Sequence, residues 1–83
     1  MGSEKDVKYE IINILGTVSE GKNGWNKLLT RVSWGGNEPK YDIRTWSPDY
    51  KKMGKGVTLS EEEIRSLTEI LIDEIDYLDS NEE

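Results

Sequence analysis

The sequence predicts an α+β fold in which four antiparallel strands precede one C-terminal helix (ββββα). Before residue 60, the apolar residues occur in short β-branched or aromatic runs that turn-forming clusters separate. After Ser60, the apolar residues recur at helical spacing. The links between the first runs are short, and short links join neighbouring strands in antiparallel orientation. The predicted sheet is therefore a four-stranded meander.

Each of the first three predicted strands ends at a cluster of glycine, asparagine, serine or proline residues, which favour the backbone conformations of tight reversals. The predicted strands span residues 9–18, 25–34, 40–46 and 57–59. The last strand is short because Gly54-Lys55-Gly56 is interpreted as a bend that precedes it.

The segment after Ser60 carries the signals of a helix start. Ser60 and Glu63 form a predicted capping box, and acidic residues fill the first turn. The helix is expected to end at about residues 77–79, with residues 80–83 frayed. One side of it is expected to cover the sheet, and its additional apolar width indicates a matching helix from another subunit. The predicted dimer interface comprises Ile64, Leu67, Ile70, Leu71, Ile75 and Leu78.

The length of 83 residues allows one domain, which we expect to span residues 1–83 and to be ordered from about residue 7 to residue 79. The chain contains no cysteine and no histidine, so disulfides and a structural zinc site cannot stabilise it. A domain of this size is close to the lower limit of independent stability. Formation of a homodimer is the expected way to enlarge the core.

No apolar run approaches the length of a transmembrane span, and residues 1–6 have no apolar signal-peptide core. We therefore expect a soluble cytoplasmic protein without a membrane partner.

The net charge of −6 conceals an uneven distribution of charge along the chain. Residues 21–57 carry eight basic and three acidic side chains, whereas residues 58–83 carry one basic and ten acidic side chains. A basic middle and an acidic end make the overall isoelectric point a poor guide to the local field. The middle of the chain is predicted to form a cationic surface.

Strand alternation predicts which side chains share a face of the sheet. We expect Leu28, Val32, Tyr41 and Ile43 to be buried under the helix. This assignment turns the intervening cations and one tryptophan outward, namely Lys27, Arg31, Lys40, Arg44 and Trp46. A twist or bulge can bring Trp25 or Trp34 onto the same outward face, and Lys51, Lys52 and Lys55 follow in the loop before the fourth strand.

Spaced cations with interleaved tryptophans are the features that an unpaired nucleic-acid strand requires. The cations track phosphates, and exposed rings stack on bases, which a duplex hides. The competing interpretation is that the tryptophans belong to the core and that the cations only keep the sheet soluble. The pattern by itself leaves both interpretations open.

The segment at residues 41–49, Tyr-Asp-Ile-Arg-Thr-Trp-Ser-Pro-Asp, is followed at residues 53–60 by Met-Gly-Lys-Gly-Val-Thr-Leu-Ser. Together they resemble the core signature of the positive cofactor four (transcriptional coactivator p15) family, and most of all its bacterial YdbC-like branch. That signature is an aspartate–isoleucine–arginine strand with a following tryptophan, a polar loop, a glycine–lysine–glycine bend, and a short strand that leads into the helix.

The resemblance implies a curved sheet, a dimer formed largely through the helices, and single-stranded DNA that crosses the strands of both subunits. Arg44 and Trp46 match the family's strand arginine and aromatic residue, and Lys55 matches the lysine of its bend. Arg31 and Trp34 fall near basic and aromatic positions on the preceding strand. A bacterial member is expected in the cytoplasm, either free or associated with the nucleoid.

Enzymatic chemistry is not predicted. The absence of histidine and cysteine removes the usual general base and the best nucleophile. We predict no catalytic residues, no cofactor, no metal and no small-molecule substrate, and we interpret the helix carboxylates as a solvated acidic face rather than a magnesium site. The leading hypothesis is sequence-tolerant binding of single-stranded DNA by a homodimer in transcription regulation, replication or repair. RNA binding and a protein-interaction adaptor are the alternatives.

Overall fold

The computed structural model describes residues 8–81, and the four strands lie in chain order within one antiparallel sheet. The expectations for residues 1–7 and 82–83 lie outside this part. The elements are β1 (Tyr9–Ser19), β2 (Asn26–Trp34), β3 (Lys40–Trp46), β4 (Met53–Leu59) and the helix α1 (Glu61–Ser80), with a short 3-10 turn between β1 and β2. The predicted ββββα order is confirmed. β4 is longer than predicted because the Gly54-Lys55-Gly56 segment is part of the strand rather than a bend.

The turn between β2 and β3 depends on two glycines. Gly35 and Gly36 have φ angles of +61° and +81°, which residues with a side chain rarely adopt. The turn is closed by the amide of Asn37, which donates to the carbonyl of Trp34, and by the Ser33 hydroxyl, which donates to the carbonyl of Asn37. Glycine at these positions allows β3 to return directly beside β2.

The register between β2 and β3 defines two faces of the sheet. Leu28 lies opposite Arg44, and Thr30 lies opposite Asp42. Directly opposed residues in an antiparallel pair point to the same side. We call this side the inner face; on β2 and β3 it consists of Asn26, Leu28, Thr30, Val32, Trp34, Lys40, Asp42, Arg44 and Trp46. The outer face carries Lys27, Leu29, Arg31, Tyr41, Ile43 and Thr45.

This register overturns the predicted assignment of faces. Tyr41 and Ile43 were expected to share a side with Leu28 and Val32, but they lie on the outer face. Alternation within one strand sorts its residues into two sets without saying which set faces the core. A shift of one residue in the pairing exchanges the two sets.

The core lies on the inner face. Leu28, Val32 and Trp46 are buried there, and Tyr9, Ile11, Trp34 and Met53 pack against them. In the part of the chain that the structure describes, no helix lies over these residues, so the sheet itself must curl around them. A hydrogen bond from the Tyr9 hydroxyl at one edge of the sheet to the carbonyl of Tyr50 in the β3–β4 loop shows this closure.

The helix begins as predicted but does not cover the sheet. The Ser60 side chain accepts from the amide of Glu63, and the Glu63 carboxylate accepts from the amide of Ser60, so the capping box is confirmed. No residue of α1 is buried, and the main contacts of the helix with the sheet are few and lie on β3 and β4. The radius of gyration is 15.4 Å, against about 12 Å for a compact domain of this length. The helix projects from the sheet as an arm about 30 Å long.

We predict that Gly56→Ala destabilises the fold, because β4 crosses Arg44 without space for a side chain. A Cβ at position 56 would lie 2.2 Å from the Arg44 Cβ and 2.4 Å from the Ile43 carbonyl oxygen. Overpacking of this kind costs about 1–3 kcal/mol, which thermal and denaturant unfolding will register.

The matched control for this prediction is Gly16→Ala on β1, where a Cβ meets nothing within 4 Å. This variant is expected to keep or slightly raise the melting temperature, because alanine restricts the unfolded chain. Equal losses of stability in both variants would contradict the close approach at Gly56.

Candidate nucleic-acid interface

A buried ion pair lies at the centre of the inner face. Arg44 donates from Nε to one carboxylate oxygen of Asp42 at 2.7 Å and from Nη2 to the other at 2.9 Å. Asp42 is fully buried, whereas the Arg44 side chain keeps 15% of its surface exposed. Two parallel charge-assisted hydrogen bonds fix the plane of the guanidinium group. Alternation along β3 makes this pairing possible, because residues two apart on one strand point to the same side.

The rest of the Arg44 guanidinium group lies against Trp34 and β4. Its central carbon is 4.9 Å from the centroid of the Trp34 ring, which is a cation–π distance. Nη1 lies 3.4 Å from both the Met53 sulfur and the Gly54 carbonyl oxygen. The contact with the carbonyl oxygen is long for a hydrogen bond to oxygen. The Nη1 side of the group is thus held much less firmly than the side that binds Asp42.

Three aromatic rings continue the inner face beyond Arg44. The Tyr9 ring lies 5.8 Å from Trp34 and 5.4 Å from Trp46, tilted by 49° in both cases. Trp46 is only 1% exposed, whereas Trp34 is half-buried. The indole nitrogens of both tryptophans and the Thr30 hydroxyl are buried without a hydrogen-bond partner among residues 8–81. Trp46 is therefore a core residue, and the accessible aromatic surface belongs to Trp34 and Tyr9.

The loop between β3 and β4 is tied to itself by hydrogen bonds. The buried Ser47 donates from its hydroxyl to Asp49 and accepts from the amide of Lys52, and the Asp49 carboxylate also accepts from the amide of Lys51. The hydrogen bond from Ser47, followed by that from Lys51, lowers the pKa of the Asp49 carboxyl below its ordinary range. Tyr50 completes the turn at φ +62°. The exposed Lys51 and Lys52 side chains therefore start from an ordered backbone.

The basic side chains divide between the two faces. Lys40 is an exposed residue of the inner face. The register between β3 and β4 places an extra residue in β4 opposite the step from Arg44 to Trp46. A Cβ at Gly56 would face Arg44 on the inner side and one at Gly54 would face Thr45 on the outer side, so the exposed Lys55 lies in the bulge between the two. Lys40 and Arg44 thus share the inner face, and Lys55 lies beside them on β4.

Two other basic residues of the predicted site lie on the opposite side. Lys27 pairs with Thr45 and points to the outer face, together with Arg31, whose Nη1 donates to the Asn13 side chain at 3.2 Å. The structure therefore does not bring Lys27 and Arg31 together with the Arg44 group, because they alternate with the buried residues of β2.

Comparison with known proteins gives this arrangement a context. The family described as Transcriptional Coactivator p15 (PC4) matches residues 22–70, which is more than half of the chain and includes β2, β3, β4 and the first half of α1. The chain belongs to the PC4 family. A bacterial protein from Treponema pallidum (strain Nichols), itself described as uncharacterized, is 52% identical over 66 residues, which cover 80% of this chain and 78% of that protein. This similarity is consistent with a bacterial PC4-like branch.

The PC4 family is a non-enzymatic DNA-binding family, and membership of it suggests a DNA-binding role of the coactivator type. Among residues 8–81, no three His, Cys, Asp or Glu side chains lie close enough together to hold a metal ion. In the same part of the chain, no helix combines the length and the apolar character that crossing a bilayer requires.

The three tryptophans differ from what the sequence predicted. Trp46 was expected to point outward, but curling of the sheet encloses it beneath Tyr9. Trp34 lies at the end of β2 on the inner side, opposite Tyr9. Trp25 is half-buried in the link before β2. Of the three tryptophans, Trp34 is thus the one that keeps accessible surface on the inner face.

Two residues of this site were missed by sequence reasoning. Asp42 alternates with Arg44 on one strand, and that spacing is a signal that could have paired them. Tyr9 opens the first strand and meets Trp34 only through the β1–β2 pairing, for which the sequence carries no local signal.

We predict that Trp46→Ala unfolds much of the protein at room temperature instead of removing a ligand contact. Truncation of a buried tryptophan costs about 3–5 kcal/mol, which is a large share of the stability of a small domain. Circular dichroism and denaturant titration measure the loss. A folded variant with an unchanged melting temperature would contradict the core position of Trp46.

Proposed function

We propose that this PC4-family protein binds single-stranded DNA as a homodimer, with little dependence on sequence, in transcription regulation, replication or repair. The observation that carries the proposal is the guanidinium group of Arg44, which lies over the half-buried Trp34 ring on the inner face that also carries Lys40, with Lys55 in the neighbouring bulge of β4. We propose the inner face of the sheet, with Lys51 and Lys52 at its edge, as the surface that the DNA contacts.

This arrangement suits an unpaired strand better than a duplex. A flexible strand can turn its bases towards the Trp34 ring while its phosphates follow Lys40, Arg44 and Lys55. Base–aromatic stacking contributes about 1–3 kcal/mol per base and does not require a particular base. A duplex keeps its base faces stacked internally, so only the phosphate contacts remain for it. A preference for single strands follows.

The homodimer is supported by two apolar surfaces that the single chain leaves uncovered. On the outer face, Leu29, Ile43 and Val57 form one row across three strands. On α1, the apolar stripe stays open to solvent, with Leu71 47% and Ile75 52% exposed. A second copy of the chain carries both surfaces, so a two-fold pair can bury each against the other. In the dimer, the single domain proposed for residues 1–83 buries the apolar surface that its own helix leaves uncovered.

The two parts of the proposal are compatible in space. The apolar row lies on the outer face, whereas Arg44 and Trp34 lie on the inner face. Association through the outer face and the helix therefore leaves the inner face of each protomer free for DNA.

We predict that Lys40→Glu combined with Lys55→Glu weakens binding of a single-stranded oligo-dT by at least tenfold. Both side chains are exposed, so the fold is expected to persist. Each neutralised phosphate contributes about −0.7 to the slope of log affinity against log salt, so the slope should flatten by more than one unit. Fluorescence anisotropy at several salt concentrations measures both quantities.

The control for this experiment is Lys27→Glu, which reverses an exposed charge on the outer face. Because Lys27 shares the outer face with the proposed association surface, ultracentrifugation must show that this variant is still a dimer, and we then expect it to bind the oligonucleotide nearly as well as the unaltered protein. A larger loss from dimeric Lys27→Glu than from the Lys40 and Lys55 variant would move the site to the other side of the sheet. Equal affinity of the unaltered protein for single-stranded and duplex DNA would contradict the stacking argument. Tighter binding of an RNA of the same sequence would indicate RNA rather than DNA as the ligand.

We predict that Leu71→Asp or Ile75→Asp converts the protein from dimer to monomer. Each side chain is about half exposed in the single chain, so a charge there should disturb association more than folding of the protomer. Analytical ultracentrifugation gives the mass, and circular dichroism reports the fold.

Ser80→Asp provides the matched control, because it adds the same charge to an exposed position on the opposite, polar side of α1. This variant is expected to remain a dimer. A monomeric unaltered protein, or dimers of unchanged strength in the Leu71 and Ile75 variants, would refute assembly through the helix.

A further inference from the structure

We infer that Asp42 is a positioning residue for DNA binding, because it holds Arg44 so that one edge of the guanidinium group faces a phosphate. This inference rests on the proposed function and assigns a role to a buried acidic residue that no phosphate would contact. Asp42 acts through Arg44 alone.

The geometry leaves Arg44 one firmly bound edge and one nearly free edge. Asp42 binds Nε and Nη2, at 2.7 and 2.9 Å. A guanidinium group has five N–H donors in a planar fork, so donors on Nη1 and Nη2 remain on the opposite edge. The 3.4 Å contacts of Nη1 with Met53 and Gly54 occupy that edge weakly. A phosphate that displaces them gains two charge-assisted hydrogen bonds.

The Asp42 carboxylate is itself fixed from a second strand. The Thr58 hydroxyl on β4 donates to Oδ1 of Asp42 at 3.0 Å, and this same oxygen accepts from Arg44 Nη2. Gly56 lies two residues before Thr58 on β4, and because it has no side chain, the β4 backbone lies directly against the Arg44 side chain. β3 and β4 together therefore determine where the guanidinium group lies.

Stability alone does not account for a buried pair at this position. Removing two charges from water is costly, and replacement of such pairs by apolar residues is often neutral or stabilising. Fixing a long side chain in advance, however, lowers the entropy that is lost when a ligand binds. The Arg44 side chain keeps 15% of its surface exposed and lies over the Trp34 ring, which is the arrangement expected of a preorganised anion contact.

The positioning role and simple electrostatics predict opposite effects for removal of the Asp42 charge. Loss of a negative charge next to the site makes the local field more positive, which by itself strengthens DNA binding. Loss of the carboxylate that orients Arg44 weakens DNA binding instead. The sign of the change in affinity therefore distinguishes the two.

The test is oligo-dT titration of Asp42→Asn at several salt concentrations. We expect affinity to fall about tenfold, as for the loss of one hydrogen-bonded charged contact, and the salt slope to flatten by about 0.7, which corresponds to one phosphate. The control is Glu38→Gln, which removes an exposed negative charge from the β2–β3 link. It is expected to leave affinity unchanged or slightly higher, with the same slope.

Two further variants keep the inference testable if Asp42→Asn folds poorly. Thr58→Val retains both charged residues and removes only the hydroxyl that fixes Asp42, so we expect a smaller loss of affinity in the same direction. Arg44→Gln, with and without Asp42→Asn, gives a double-mutant cycle. If Asp42 acts through Arg44, the double variant binds no more weakly than Arg44→Gln.

The outcomes separate this inference from the proposed function. If Lys40→Glu with Lys55→Glu weakens binding but Asp42→Asn strengthens it or leaves it unchanged, the positioning role is refuted and the proposed function stands. Additive losses in the double-mutant cycle also refute it, since they show a purely structural effect. If the unaltered protein does not prefer single-stranded DNA, the proposed function itself fails.

Discussion

The pairing register between β2 and β3 is the constraint on which the rest of the structure depends. Because Leu28 opposes Arg44 and Thr30 opposes Asp42, the buried apolar residues and the central ion pair share one side of the sheet. The core and the candidate interface are therefore parts of the same surface. The curl that encloses Trp46 also brings Trp34 against the Arg44 guanidinium group, so folding of the sheet and assembly of the site are one event.

Features that arise from neighbouring residues could be predicted from the sequence. The bounds of β3, the order of the elements and the capping box at Ser60 depend on local spacing and turn chemistry, and the structure confirms them. The faces of β3 depend on its pairing with β2, which a single strand does not encode. Tyr41 and Ile43 appeared to be the buried set because they are apolar, whereas the buried set contains Asp42 and Trp46. Charge and aromatic content indicated a candidate site on the sheet, but long-range pairing decides which of its residues share a face.

The helix shows a related limit of sequence patterns. The width of an apolar stripe indicates how much helix surface must be buried, but not which molecule buries it. The stripe of α1 was expected to lie on the sheet of its own chain, yet the helix extends away from it with Leu71 and Ile75 exposed. Its excess width, which indicated a second partner, agrees with the proposal that a second copy covers the exposed stripe.

The hydrogen-bonded loop between β3 and β4 bears on the kinetics of encounter. Lys51 and Lys52 extend from a backbone that Ser47 and Asp49 already fix, so a polyanion bound at the proposed site would meet charges anchored at defined positions rather than on a mobile segment. Binding to such an ordered loop costs only the conformational entropy of the lysine side chains. The first collision can therefore be productive without prior ordering of the chain, and association should be limited by diffusion and ionic strength rather than by rearrangement of the protein.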